Sequence, residues 1–151
     1  MGEYASCSAY QALFLGRIHF QSTSIWKSLA RPWCRYFVWL VALNRCWSTD
    51  HLHSRNLPHP DRCVLCDQCE ESDRLLVMSP KSRQLWWIAL RTIGWPGCLP
   101  MNETSFHLWL CNNRKKITKG HWRVFDNIAA LVTSTIWKKR NNRVFNQQRK
   151  S

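Results

Sequence analysis

Cys63 and Cys66 are separated by two residues, a spacing that lets two thiolates reach one tetrahedral ion across a tight turn. This is the first half of a structural zinc site, which closes only with two further ligands, ordinarily His or Cys. Cys69 is a candidate third ligand and His59 a candidate fourth. His51 and His53 lie two apart on what reads as a short helix, so they face different ways and are poor co-ligands. Dithiol redox chemistry is the other use of such a pair, but no thioredoxin-like βαβ pattern surrounds it. Downstream, Asp67, Glu70, Glu71 and Asp73 crowd four carboxylates together. Acid–base catalysis needs a partner base or nucleophile at a meaningful spacing, and none accompanies them, so they read as a solvated turn.

The second chemistry is cationic. The chain of 151 residues holds 22 Lys and Arg against 9 Asp and Glu, a net charge of +13 that suits a polyanion. The charge is concentrated. From Asn112 to Ser151 eleven cations stand against the single acid Asp126, which places +10 of the +13 in the final 40 residues. Lys115, Lys116, Lys119, Lys138, Lys139, Arg140 and Arg143 are the candidate phosphate contacts, and Trp137 among the last four adds a stacking surface. A solvated helix end, with cations complementing the helix dipole, is the plainer reading of the same residues.

Positioning these groups falls to helices. Residues Met1 to Gly16 predict a short helix capped by Ser6 or Ser8, and a second short helix carries Ile25, Trp26 and Leu29. Pro32 opens a third, to Asn44, apolar on nearly every side and expected at the centre of the core. Ser48 or Thr49 caps a short helix to about Asn56, with Leu52 facing inward. Leu57 to Asp61 is a proline-stiffened approach to the cysteines. Ser79 and Pro80 start a helix to about Ile93 that buries Leu85, Trp86, Ile88 and Leu90. Pro96, Gly97 and Pro100 mark a hinge between Trp95 and Met101, and a short apolar segment covers Thr104 to Cys111. In the last helix, about Gly120 to Asn146, Trp122, Phe125, Ile128, Ala129, Val132 and Ile136 recur at three- and four-residue steps. The fold class predicted is mainly α: about six helices with an irregular, zinc-knuckle-like loop from Leu57 to Ser79. The final helix either packs on the helices Pro32–Asn44 and Ser79–Ile93 or projects away.

The longest apolar run, Tyr36 to Leu43, is too short to span a bilayer, and no secretory signal is visible. An intracellular, reducing setting follows, in which Cys7, Cys34, Cys46, Cys98 and Cys111 are small buried hydrophobes. The basic clusters permit a nuclear location without demanding it. Most of the ten tryptophans must be buried and the rest are candidates for a partner surface; a protein-interaction module would expose some of Trp86, Trp109, Trp122 or Trp137 in an apolar patch.

Ser8-Ala9-Tyr10, Ile25-Trp26-Lys27, Phe37-Val38-Trp39-Leu40 and the run Leu57 to Cys66 occur in an order that resembles the zinc-binding domain following the reverse transcriptase of plant LINE-type (non-LTR) retrotransposons. Ser82 to Trp86 continues the likeness, and Trp137 to Asn141 with Arg143-Val144-Phe145 is similar to a tail found after that domain in grasses. The resemblance implies a domain at residues 4–94 followed by a basic helical extension at 95–151. It also implies a ligand set of the form C-x2-C-x7-H-x4-C, in which Cys63 and Cys66 match while Arg74 takes the histidine position and Ser79 the last cysteine position. Arginine is a fixed cation that cannot bind zinc, and serine is a weak neutral ligand, so the implied zinc site is degenerate. Neither the paired aspartates of a reverse transcriptase nor the dispersed carboxylates of an RNase H are found, so no enzyme is expected. With Met1 at its start, the chain implies a separately encoded retroelement fragment: a non-catalytic domain that binds RNA or DNA largely through phosphates, or else a decaying relic or a protein-interaction module.

Overall fold

The computed structural model describes residues 23–66, 79–101 and 105–147. The first predicted helix, Met1 to Gly16, lies outside them, as do the acidic cluster, Cys69 and Arg74. Among the described residues the fold is mainly α, with six α-helices, two single 3-10 turns and no strand. These are α1 (Thr23–Trp26), α2 (Pro32–Ala42), α3 (Thr49–His53), α4 (Pro80–Thr92), α5 (Phe106–Lys116) and α6 (Trp122–Gln147).

The starts and stops obey local chemistry. Pro32 and Pro80 occupy the first turns of α2 and α4, where the missing N–H costs nothing. Ser79 caps α4, its Oγ accepting the Ser82 N–H at 3.3 Å, and Ser105 caps α5 in the same way through Leu108 at 3.2 Å. Downstream of α2, α3 and α4 the chain turns through Asn44, Asn56 and Gly94, all at positive φ, a region that asparagine and glycine enter most readily. Each turn is closed by an N–H reaching back five residues: Arg45 to Leu40 O, Leu57 to Leu52 O and Trp95 to Leu90 O.

Packing is organised by α6, which lies chiefly against α2 with α4, α5 and α1 around it. It packs on the other helices rather than projecting. Its inward face is broader than the predicted apolar stripe. Phe125, Ala129 and Ile136 are buried as expected, but so are Ala130, Thr133 and Ser134, small groups that let α2 approach closely. The Thr133 and Ser134 hydroxyls are satisfied on carbonyls one turn back, at 2.7 and 2.6 Å, and Ser134 also reaches the Cys34 sulfur on α2 at 3.4 Å. Helix α2 buries Cys34, Phe37, Val38 and Val41 on this side while Trp33 and Tyr36 face solvent, so its apolar composition does not translate into burial all round.

A second centre is aromatic. Trp86 of α4, Trp109 of α5 and Phe125 of α6 are wholly buried, with Trp86–Trp109 centroids 4.6 Å apart and Trp109–Phe125 5.6 Å apart. The Trp109 indole N–H is not stranded there: it donates to Cys98 O at 2.9 Å, in the 3-10 turn Pro96–Cys98 of the predicted hinge. Helix α4 corrects one expectation. Trp86 and Leu90, four apart, point inward, whereas Ile88 lies on the opposite face and is exposed.

Candidate functional site

The stretch from Leu57 to Cys66 carries no helix and leads into a tight turn at Val64, Leu65 and Cys66. Cys63 is completely buried at its start and Cys66 half-buried at its end. Burial pushes the Cys63 thiol up, opposed by the backbone N–H groups of Leu65 and Cys66, which hydrogen-bond its sulfur. Backbone donors of this turn point at the Cys63 sulfur, but burial outweighs their pull toward the thiolate. A hollow of 550 Å³ lies over it, with Asp61, Lys81 and Arg143 on its rim.

What grips this turn is a cation. Arg143, from the last turns of α6, donates through Nη1 to Val64 O at 3.2 Å and to Leu65 O at 3.1 Å, across 79 and 78 residues of sequence. Hydrogen bonds from a charged donor are about twice as strong as neutral ones. The turn is thereby anchored to the long helix by the protein itself.

The donor set decides how well zinc fits. Two thiols are present at the right spacing. Ser79 is fully buried, but its hydroxyl is committed to capping α4 and pairs with the Ser82 hydroxyl at 2.8 Å. His59 turns its Nδ1 to Leu57 O at 2.8 Å and sets its ring edge-on to His53, 5.1 Å away. Among the described residues no three His, Cys, Asp or Glu side chains come together as a metal cluster. Among the described residues Cys63 and Cys66 have the sequence spacing of a zinc-binding pair, and no third ligand joins them.

The candidate phosphate contacts divide. Lys115 and Lys116 end α5, Lys119 sits in the 3-10 turn Lys119–His121, and all three are exposed. Lys138 and Lys139 are exposed on the outer side of α6, with the Lys138 ammonium 5.8 Å from the Trp33 ring. The first group precedes α6, and the second lies along that helix, roughly 24 Å from its start at Trp122 at 1.5 Å per residue. Arg140 departs from expectation: it is only 3% exposed, with its guanidinium 5.1 Å from the Trp137 ring and bonded to Asn141 Oδ1 at 3.1 Å. Position along the helix explains this, because Arg140 follows Thr133 and Ile136 by seven and four residues and so lies on the inward face. Arg143 is spent on the Val64 and Leu65 carbonyls.

The aromatic expectation is corrected too. Trp86 and Trp109 are buried, and Trp122 and Trp137 are half-buried, so none of the four forms an exposed patch. The exposed indoles are Trp26, Trp33, Trp47 and Trp87.

One further ionic feature escaped the motif search. Asp126, the lone acid of the cationic tail, is buried on α6 with the Arg114 Nε 3.1 Å from its carboxylate. Burial pushes Asp126 up to about 6, with Arg114 pulling the other way. The same Arg114 covers the Trp122 ring at 4.7 Å, and the Trp122 N–H donates to Arg114 O at 2.8 Å. Its isolation among eleven cations was the sequence signal that could have marked it.

Fold and site together define a small helical domain built around a Cys-x2-Cys turn. Over residues 4–86 the chain matches the family described as zinc-binding in reverse transcriptase, and it belongs to that family. No curated protein and no solved structure matches the chain. No helix among the described residues is long and apolar enough to cross a membrane.

Proposed function

We propose that this chain is a non-catalytic accessory domain of retrotransposon origin, of the plant LINE type, that binds nucleic acid through its C-terminal helices. The observation that carries the reading is the pair of exposed lysine groups, Lys115, Lys116 and Lys119 at one end and Lys138 and Lys139 further along α6. Two separate clusters of exposed lysines suit a polymer of phosphates better than a single phosphate group. Membership of a family attached to reverse transcriptases supplies the context in which such a polymer is at hand. Zinc enters this reading only as half a site, and no step depends on it.

The mechanism is neutralisation of phosphates with release of condensed counterions. Affinity for RNA should therefore fall steeply as salt rises, with a logarithmic slope of roughly −0.7 per contacted phosphate of a single strand. Anisotropy titrations of a labelled RNA across a salt series test this. Replacing Lys115, Lys116 and Lys119 by Gln should flatten the slope by about 2, and replacing Lys138 and Lys139 by about 1. Undetectable binding of RNA and single-stranded DNA at low salt would remove the proposal.

A second reading has its own observation. Trp26, Leu29, Trp33 and Tyr36 are all exposed where α1 meets α2, an apolar surface of the kind that protein partners cover.

A further inference from the structure

Cys63 and Cys66 are both thiols, and the turn sets them against one another. Their side chains lie within hydrogen-bonding reach. The two residues between them are not a slack linker, because Val64 O and Leu65 O are the carbonyls that Arg143 holds at 3.2 and 3.1 Å. A contact from the far end of α6 thus helps to fix how the two sulfurs face each other. Access to them is unequal. Cys63 is completely buried, whereas Cys66 is half-buried and lines the hollow of 550 Å³ over the turn. The buried sulfur also receives the backbone N–H groups of Leu65 and Cys66.

We propose that Cys63 and Cys66 close a reversible disulfide by exchange with a small-molecule disulfide such as oxidised glutathione, Cys66 being the entry thiol and Cys63 the resolving one. The Cys66 sulfur attacks one sulfur of the reagent. A thiolate leaves and takes up the Cys66 proton, and a mixed disulfide remains. The Cys63 sulfur then attacks the Cys66 sulfur, forming the bond between the two cysteines and releasing the second thiolate, which takes up the Cys63 proton. The two cysteines give up two electrons in all, and the reagent receives them as two thiols. Access dictates the order of attack. The N–H groups at Cys63 meet the negative charge that gathers on its sulfur as its proton departs. Each chain reacts once, so no thioredoxin-like scaffold is needed. Closing the bond consumes both thiolates that a metal ion would require. This chemistry is independent of the nucleic-acid reading.

The test equilibrates the full chain, dialysed against a chelator and checked for its fold by circular dichroism, in glutathione buffers of graded oxidation. Remaining thiols are alkylated, and the bonds are mapped by peptide fragmentation in a mass spectrometer. The wild type and C69S should both carry an intramolecular Cys63–Cys66 bond. C63S/C69S should stop at a mixed disulfide on Cys66, and C66S/C69S should leave Cys63 a thiol. Because the fold holds the sulfurs together, the equilibrium constant for closure should be about tenfold greater in the folded chain than in concentrated urea, a difference of about 30 mV. R143Q should lose most of that difference; if it does not fold, the comparison of folded C69S with C69S in urea carries the test alone. A bond from Cys66 to Cys69 in place of Cys63 overturns the pairing. Equal constants with and without urea overturn the part given to the fold. Absence of the bond at every glutathione ratio, or unfolding on removal of metal, overturns the proposal outright.

Discussion

Asp126 shows how one side chain ties the cationic tail to the core. Its carboxyl is pushed from 3.8 to about 6, mainly by burial, so the native state holds a proton more tightly than the unfolded chain. Stability therefore falls as pH rises between those values, and the cost is fully present above about pH 6. A shift of this size corresponds to about 3 kcal/mol. Urea unfolding at pH 4 and pH 7 should show that loss in the wild type relative to D126N, whose side chain does not titrate. Parallel pH profiles for the two proteins would show that Asp126 is not the group responsible. Arg140 and Arg143 carry a related lesson. Both belong to a run that reads as phosphate-binding, yet one is packed inside and the other holds the backbone carbonyls of Val64 and Leu65.

At the scale of elements, the Cys63–Cys66 turn is fastened to α6 by Arg143. Two backbone N–H groups point at the Cys63 sulfur, and Ser79, which the family resemblance places at a ligand position, caps α4. A cap residue of this kind contributes about 1 kcal/mol, far less than the 10–16 kcal/mol apparent for zinc in a closed structural site. Restoring the implied ligands should therefore override the lost cap. R74H/S79C should purify with one zinc per chain by elemental analysis, and the wild type with markedly less. Equal zinc in the two proteins would mean that another residue already completes the site, or that residues 74 and 79 do not converge on the sulfurs.

For the molecule as a whole, the described residues before and after position 94 share their cores. Helix α2 buries its Cys34, Phe37, Val38 and Val41 face toward α6, and Trp86 packs at a tilt against Trp109. A fragment ending at residue 94 would expose all of these groups. Burying a large apolar side chain is worth roughly 1.5–3 kcal/mol, so the combined loss with Leu90 included is about as large as the 5–15 kcal/mol margin of most domains. The fragment 4–94 should lack a cooperative thermal transition, and mixing it with a 95–151 fragment should restore one. A sharp transition in the isolated 4–94 piece would show instead that the extension is an independent addition.

Much of this architecture was legible along the chain because the signals are local. Ser79-Pro80 announces α4, Pro32 announces α2, and the three- and four-residue recurrence of Trp122, Phe125, Ala129 and Ile136 announces α6. Helical periodicity and capping depend on neighbours within one or two turns, and so does the Cys-x2-Cys turn. What depended on the tertiary structure was the use each exposed-looking group is put to. The rotation of α6 against α2 turns Arg140 inward and buries Asp126, and the end of the same helix brings Arg143 to carbonyls 78 residues away. Periodicity defines an apolar stripe only to within about a quarter turn of the helix, and small residues such as Ala130 and Ser134 widen the buried face without an apolar signal. Pairings across such distances are set by how helices pack, and no spacing within the sequence records them.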